Sequence, residues 1–145
     1  MRIGGAVVAL LLATLMGCGS RADEARQGYP LAGSMDARVA EASVHLTLHV
    51  TNLSEHPVAL EFPSAQRYDF LVRREDGESV WSWSATRSFA QVLTVDTLPP
   101  GETRRYSADW PHGGRTGNFV AEGHFLADER AIHLAIPLPL DEPAR

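Results

Sequence analysis

The stretch YDFLVRREDGESVWSWS, from Tyr68 to Ser84, sets two runs of alternating apolar and polar residues on either side of Asp76-Gly77. Asp-Gly is a preferred pair for the type I′ turn of a two-residue β-hairpin loop, which would pair Glu75 with Glu78. The stretch therefore predicts two antiparallel strands, and the alternation predicts which face of the hairpin is apolar.

The predicted apolar face of this hairpin is largely aromatic. Counting back from the turn sets Val72 opposite Trp81 and Phe70 opposite Trp83, with Tyr68 next in the row. Cross-strand aromatic pairs stabilise sheets and bury large apolar areas. We therefore predict that these side chains belong to the core of the domain rather than to a ligand site. The predicted core signature is Tyr68, Phe70, Trp81, Trp83 and Trp110.

Alternation with a period of two continues through the rest of the chain. It is clearest in VHLTLHVTN at 44–52 and VALEF at 58–62, where apolar residues occupy every second position. Pro100-Gly101 suits a type II turn, and the prolines of IPLPL at 136–140 fit only an edge strand or a strand end. Many short strands without helical periodicity predict an all-β fold, an immunoglobulin-like two-sheet antiparallel β-sandwich.

The N-terminus has the layout of a secretory signal. Arg2 supplies an early positive charge, and the uncharged apolar run from Ala6 to Met16 is too short for a stable membrane-spanning helix. Leu15-Met16-Gly17-Cys18 resembles the bacterial lipobox, which implies cleavage before Cys18 and acylation of that residue. Acyl chains would then hold the protein at a membrane. The alternative is an ordinary signal peptide with an incidental cysteine.

These features predict the organisation of the chain and its location. We expect a signal peptide at 1–17, a lipidated cysteine and flexible tether at 18–37, one folded domain at 38–140 and a C-terminal tail at 141–145. The protein is expected to be exported and lipid-anchored in the cell envelope. Residues 19–20 are Gly-Ser rather than aspartate, which in a Gram-negative cell favours the outer membrane.

Composition limits the partners of the folded part. The formal net charge is −5, and loss of Arg2 with the leader makes it −6, which argues against nucleic acid or anionic lipid head groups. The expected contact with a membrane is through the lipid anchor only. Cys18 is the single cysteine, so no intrachain disulfide can form.

A family resemblance is carried by residues spread over most of the predicted domain. They are Asn52, the run Phe62–Phe70, Gly77, the run Val80–Ser84, Phe89, Gln91 and Pro100-Gly101-Glu102. In order and spacing, from about Val39 to Leu126, they resemble the BsuPI-type proteinase inhibitor domain. The resemblance implies an immunoglobulin-like sandwich and binding to proteases, but it assigns no reactive-site residue.

Catalytic and metal-binding signatures are sparse. The sequence contains neither GxSxG nor HExxH, so we predict no enzymatic activity and no cofactor. If the last two strands form a hairpin, His124 and His133 lie opposite each other with Glu122 on the same face. Two histidines and a carboxylate could hold a transition metal. The simpler interpretation, which we prefer, is polar side chains on a solvated sheet face.

Two loops offer an arginine that a trypsin-like protease pocket could accept. Arg87 lies in the short loop Ala85–Ser88 that follows the tryptophan strand, and Arg115 lies in the glycine-containing loop Pro111–Thr116. Loops at the ends of a rigid sandwich commonly carry specificity, although each could equally be an ordinary connector. We therefore expect a non-enzymatic protein-binding module whose partner is a protease. The alternative is a structural or assembly module that binds another envelope component.

Overall fold

The structure is a computed structural model that describes residues 30–141. This range contains nine β-strands, two short 3-10 turns and no α-helix. The strands are β1 (Leu31–Val39), β2 (Val44–Asn52), β3 (Val58–Phe62), β4 (Tyr68–Arg74), β5 (Ser79–Ser82), β6 (Thr94–Leu98), β7 (Thr103–Trp110), β8 (Gly117–Phe125) and β9 (Ile132–Leu140). The all-β prediction is confirmed. In the same range, no helix has the length and apolar character needed to cross a membrane.

All the strands pair antiparallel, in three hydrogen-bonded sheets. Their orders are β1-β2-β7, β3-β6 and β5-β4-β8-β9, arranged in the manner of a sandwich. The core lies between the inward faces, where the alternate residues of 44–50 and 58–62 are buried, as their alternation predicts. The prolines of 136–140 lie in β9, the outer strand of its sheet. Within the described residues, no strand pairs with the outer edge of β9, so prolines are tolerated there, as the sequence predicted.

The hairpin of β4 and β5 has the predicted register but a different turn. Val72 pairs with Trp81, as predicted. Near the turn, however, Arg74 N–H donates to Glu78 O and Gly77 N–H donates to Arg74 O, which closes a three-residue loop. Only Gly77 has a positive φ, +93°, whereas a type I′ turn needs two such residues. A bulge next to Val72 adds one residue on β5 and restores the predicted register.

The predicted domain boundary is wrong by seven residues. The tether was expected to reach Ala37, but β1 begins at Leu31 and pairs with β2 along its full length. A β-carbon on Gly33 would lie 2.6 Å from a methyl group of Ile132, so the small residues of β1 allow close approach to β9. The predicted signal peptide, Cys18 and the tether up to residue 29 lie outside the described residues, as does the tail after Asp141.

Asn52 ties the end of β2 to the start of β7. It is fully buried, and its side-chain amide donates to His56 O at 2.7 Å and to Leu98 O at 2.9 Å. Its backbone N–H donates to Glu102 O and its carbonyl accepts from Gly101 N–H, both in the predicted type II turn. The φ of +70° at Gly101 is the value that this turn requires at its third position. These bonds fix the connection from β6 to β7.

Candidate functional site

A row of aromatic rings leads from the core to the surface beside β5. Tyr68 and Trp83 stack with their ring centroids 4.4 Å apart and an interplanar angle of 26°, and Trp83 contacts Phe89 at 5.7 Å. Of the predicted core signature, Phe70 and Trp110 are buried. Tyr68, Trp81 and Trp83 pack against the core but are only half-buried. The row therefore forms a support for the loop that follows β5.

Arg87 folds back onto this support. Its guanidinium carbon lies 4.4 Å from the centroid of the Trp83 ring, and its Nη1 donates to Trp83 O at 2.9 Å. A cation–π contact at an exposed site contributes about 0.5–1 kcal/mol and a hydrogen bond about 0.5–1.5 kcal/mol. Withdrawal of the side chain into a protease pocket would break both contacts and cost about 1–2.5 kcal/mol.

Residues 88–93, which we call the connecting segment, run from Arg87 to β6 without regular secondary structure. Phe89 fixes the segment by packing on Trp83, and Ala90 O accepts a hydrogen bond from Ala65 N–H at 2.9 Å. Within residues 30–141, that carbonyl is the one backbone group of the segment in a backbone–backbone hydrogen bond. The segment is thus attached to the domain while most of its backbone polar groups stay free.

Three aliphatic side chains face solvent where this segment joins β6. Val92 is 53% exposed, and Leu93 and Val95 are each 63% exposed. We call these three residues the aliphatic corner. In the described part of the chain, the other large exposed apolar residues are Val39 and Leu53, which stand apart in sequence. Clustered exposed apolar groups mark interaction sites more often than isolated ones do.

The aliphatic corner was not predicted from the sequence. Residues 92–95 were assigned to none of the predicted strands, and alternation does not show which of their side chains are exposed. The available signal was the run SFAQVLTV at 88–95, which contains no charged residue in a chain that is 21% charged.

Charged side chains hold β6, and with it the aliphatic corner, against the neighbouring strands. Arg104 of β7 donates to the carboxylate of Asp96, and its Nη2 donates to Thr97 O at 2.8 Å. The hydrogen bond from Arg104 lowers the pKa of Asp96 below its usual value. Arg67 lies 3.7 Å from the same carboxylate and covers the ring of Phe62 at 4.4 Å. These contacts fix the position of β6 and so of the exposed side chains next to it.

The second predicted arginine lies in a loop of different character. Gly113 and Gly114 have positive φ values of +61° and +74°, so two residues of this loop use backbone conformations that other residues rarely adopt. Arg115 is exposed, and its Nη1 donates to His112 O at 2.9 Å. The loop follows β7, whereas Arg87 follows β5, so the two arginines belong to separate connections of the fold.

The histidine pair predicted on the last hairpin is present. His124 pairs with His133 in the ladder between β8 and β9, and their ring centroids are 4.5 Å apart. Glu122, however, accepts from Arg73 at 2.8 Å and lies 3.2 Å from Nε2 of His124. Among the described residues, no group of three or more His, Cys, Asp or Glu side chains is arranged to hold a metal ion.

Comparison with known families gives one match over most of the chain. The family model described as BsuPI, intracellular proteinase inhibitor, matches residues 31–130. The match begins at the first residue of β1, which agrees with the domain boundary in the structure. A comparison with curated proteins found no match.

Solved structures are similar to this chain at low sequence identity. The penta-heme cytochrome c552 from Thermochromatium tepidum aligns over 81% of this chain and 41% of its own, with 13% identity and a TM-score of 0.50. The protein assigned as ApaA from Bordetella pertussis aligns over 81% and 97%, with 19% identity and a TM-score of 0.46. The chain spans less than half of the cytochrome's length, and that likeness concerns the fold alone.

Proposed function

Because the chain belongs to the BsuPI family of intracellular proteinase inhibitors, we propose that it is a non-enzymatic, lipid-anchored module that binds and inhibits a protease. The observation that carries the proposal is the connecting segment, residues 88–93, together with the aliphatic corner that ends it. An inhibitor that occupies a protease cleft needs an exposed stretch whose backbone groups can pair with the enzyme, and this segment supplies one.

Attachment of the segment at two points supports inhibition rather than simple cleavage. Phe89 packs on Trp83, and Ala90 O is hydrogen-bonded to Ala65 N–H. A loop held in its bound conformation loses little entropy on binding. After cleavage at Val92 or Leu93, these contacts would hold one new end and the pairing of β6 with β3 would hold the other, so release would stay slow and the enzyme would remain blocked.

The exposed backbone suits pairing with an extended partner strand. Substrate clefts that take a peptide as an added strand use main-chain hydrogen bonds for affinity and side-chain pockets for specificity. The amides of Val92 and Leu93 make no hydrogen bond to any described residue. The folded part also keeps an acidic balance, which supports a protein partner rather than nucleic acid.

A panel of serine proteases with different primary specificities tests the proposed function. The purified full chain is incubated with each enzyme, and residual protease activity and the intact mass of the chain are followed. Dose-dependent loss of activity with an intact or slowly clipped chain supports inhibition. Rapid cleavage with no loss of activity would make the protein a substrate instead.

A second candidate is a structural or assembly module of the cell envelope. It is favoured by the aliphatic corner, since exposed apolar side chains suit any partner with a complementary apolar surface. Inertness toward every protease in the panel, combined with capture of a defined envelope protein that depends on Leu93, would shift the assignment to this candidate.

Lipid anchoring at Cys18 remains a prediction, and it can be tested directly. The family is described as intracellular, whereas Leu15-Met16-Gly17-Cys18 closes a secretory-type leader. Cys18→Ser is expected to abolish incorporation of a labelled fatty acid and to release the protein from membranes, because the acylated thiol is lost. Persistent membrane association of the Ser variant without label would mean that another feature anchors the chain.

A further inference from the structure

We infer that the aliphatic corner makes the primary contact with the protease, and that the partner's specificity pocket accepts an aliphatic side chain rather than arginine. This inference rests on the proposed function and adds the chemical class of the partner's pocket. It also replaces the sequence-based expectation that Arg87 or Arg115 enters a trypsin-like pocket.

Arg87 already makes contacts within the domain that binding in a pocket would break. The guanidinium of Arg87 is bound twice to Trp83, once over the ring and once at the carbonyl. A trypsin-like pocket would have to break both contacts before it gained its own. The side chains of the aliphatic corner have no such attachment to lose, because more than half of each is exposed to solvent.

Leu93 and Val95 point in the same direction. Leu93 immediately precedes β6 and Val95 is its second residue, and successive residues of an extended chain point to opposite faces. They therefore project from one face, and their burial pattern agrees, since Thr94 and Asp96 between and after them are less exposed. A leucine flanked two positions away by valine presents a continuous aliphatic surface to a partner.

The charges around the aliphatic corner also favour an apolar pocket. Pockets selective for arginine carry a carboxylate, whereas pockets for apolar side chains are uncharged slots. No charged residue occurs from Ser88 to Val95, and the ladder partner of Val95 is Glu61. The aliphatic corner offers no cation to a pocket that carries a carboxylate, and the neighbouring Glu61 would repel that carboxylate. An aliphatic pocket would instead contact apolar side chains.

Variants of the full chain separate these contacts. Leu93→Asp would place a carboxylate in the apolar pocket, and we expect inhibition of an enzyme with an aliphatic-accepting pocket to weaken by about 100-fold. Leu53→Asp is the matched control, since Leu53 is 67% exposed at a different site. We expect Leu53→Asp and Arg87→Ala each to change the inhibition constant by less than about threefold. Denaturant midpoints equal to that of the unchanged chain show that all three variants fold.

The outcomes distinguish failure of this inference from failure of the proposed function. Loss of inhibition with Leu93→Asp alone supports the inference. Loss with Arg87→Ala but not with Leu93→Asp, or inhibition untouched by either change, would overturn it while the inhibitor function stands. If the unchanged chain inhibits no protease in the panel, the proposed function fails and the inference fails with it.

Discussion

Trp110→Ala is expected to lower the free energy of unfolding by about 3–5 kcal/mol, the range found for large core aromatics. Trp110 is 1% exposed and is among the largest fully buried side chains of the described residues. It contacts Phe119 edge-on, with ring centroids 5.3 Å apart, and so joins the inward faces of β7 and β8. Removal of the indole would leave a cavity that rigid strands cannot close. Denaturant unfolding followed by circular dichroism measures the loss.

Trp83→Ala is the matched control for this prediction. Trp83 is half-buried, and its neighbours Tyr68 and Phe89 can move into part of the vacated space. We therefore expect its loss to stay below about 3 kcal/mol. Equal destabilisation by the two substitutions would contradict the placement of Trp110 in the core and Trp83 at its margin.

A chain that starts at Arg38 is expected to lose about 5 kcal/mol or more of its stability, which is the whole stability of a marginal domain. The truncation removes seven of the nine residues of β1 and leaves the edge of β2 unpaired. It also removes Met35, whose Sδ would lie only 2.9 Å from a β-carbon on Gly123. Met35 therefore fills the space that this glycine leaves between the sheets.

The control for the truncation is a chain that starts at Pro30 and keeps β1 whole. We expect it to unfold at the same denaturant concentration as the chain that starts at Cys18, whereas the chain that starts at Arg38 should be unfolded or unfold at a far lower concentration. If all three unfold together, β1 contributes nothing to the domain and the tether boundary at Ala37 was correct.

Much of the sandwich could be predicted because most of its strands show alternating apolar and polar residues within their own sequence. Val44 to Val50 alternate strictly, and the aromatic pairs of the hairpin fix its register even though the turn has one residue more than predicted. The register survives because the bulge beside Val72 offsets the longer loop. Turn type depends on local backbone angles, whereas register depends on which side chains the core will accept.

β1 could not be predicted because its burial is a tertiary property. Leu31 to Ala37 are mostly small or polar residues with low β-propensity, and their pattern resembles that of a linker. Gly33 packs closely against Ile132, and Met35 against Gly123, both on the opposite sheet. The roles of Gly33 and Met35 are visible only in these contacts. A sequence of small residues gives no sign of such close contacts until both partners are known.

The candidate site was missed for a related reason. Apolar residues such as Leu93 and Val95 are read as inward-facing by default, and their exposure depends on the absence of a covering element within the described fold. Arg87 was chosen from its loop position, but its contact with Trp83 is set by the aromatic row beneath it. Neither the exposure of the aliphatic corner nor the contact of Arg87 with Trp83 can be predicted from local sequence.

Hydrogen exchange of the full chain, free and saturated with a protease that it inhibits, shows directly whether the connecting segment is the contact surface. The amides of Val92 and Leu93 make no hydrogen bond to the described residues and should exchange rapidly in the free protein. We expect strong protection of these amides in the complex, with the loop at 113–116 unchanged. Protection at 113–116 with Val92 and Leu93 still exchanging rapidly would contradict this expectation.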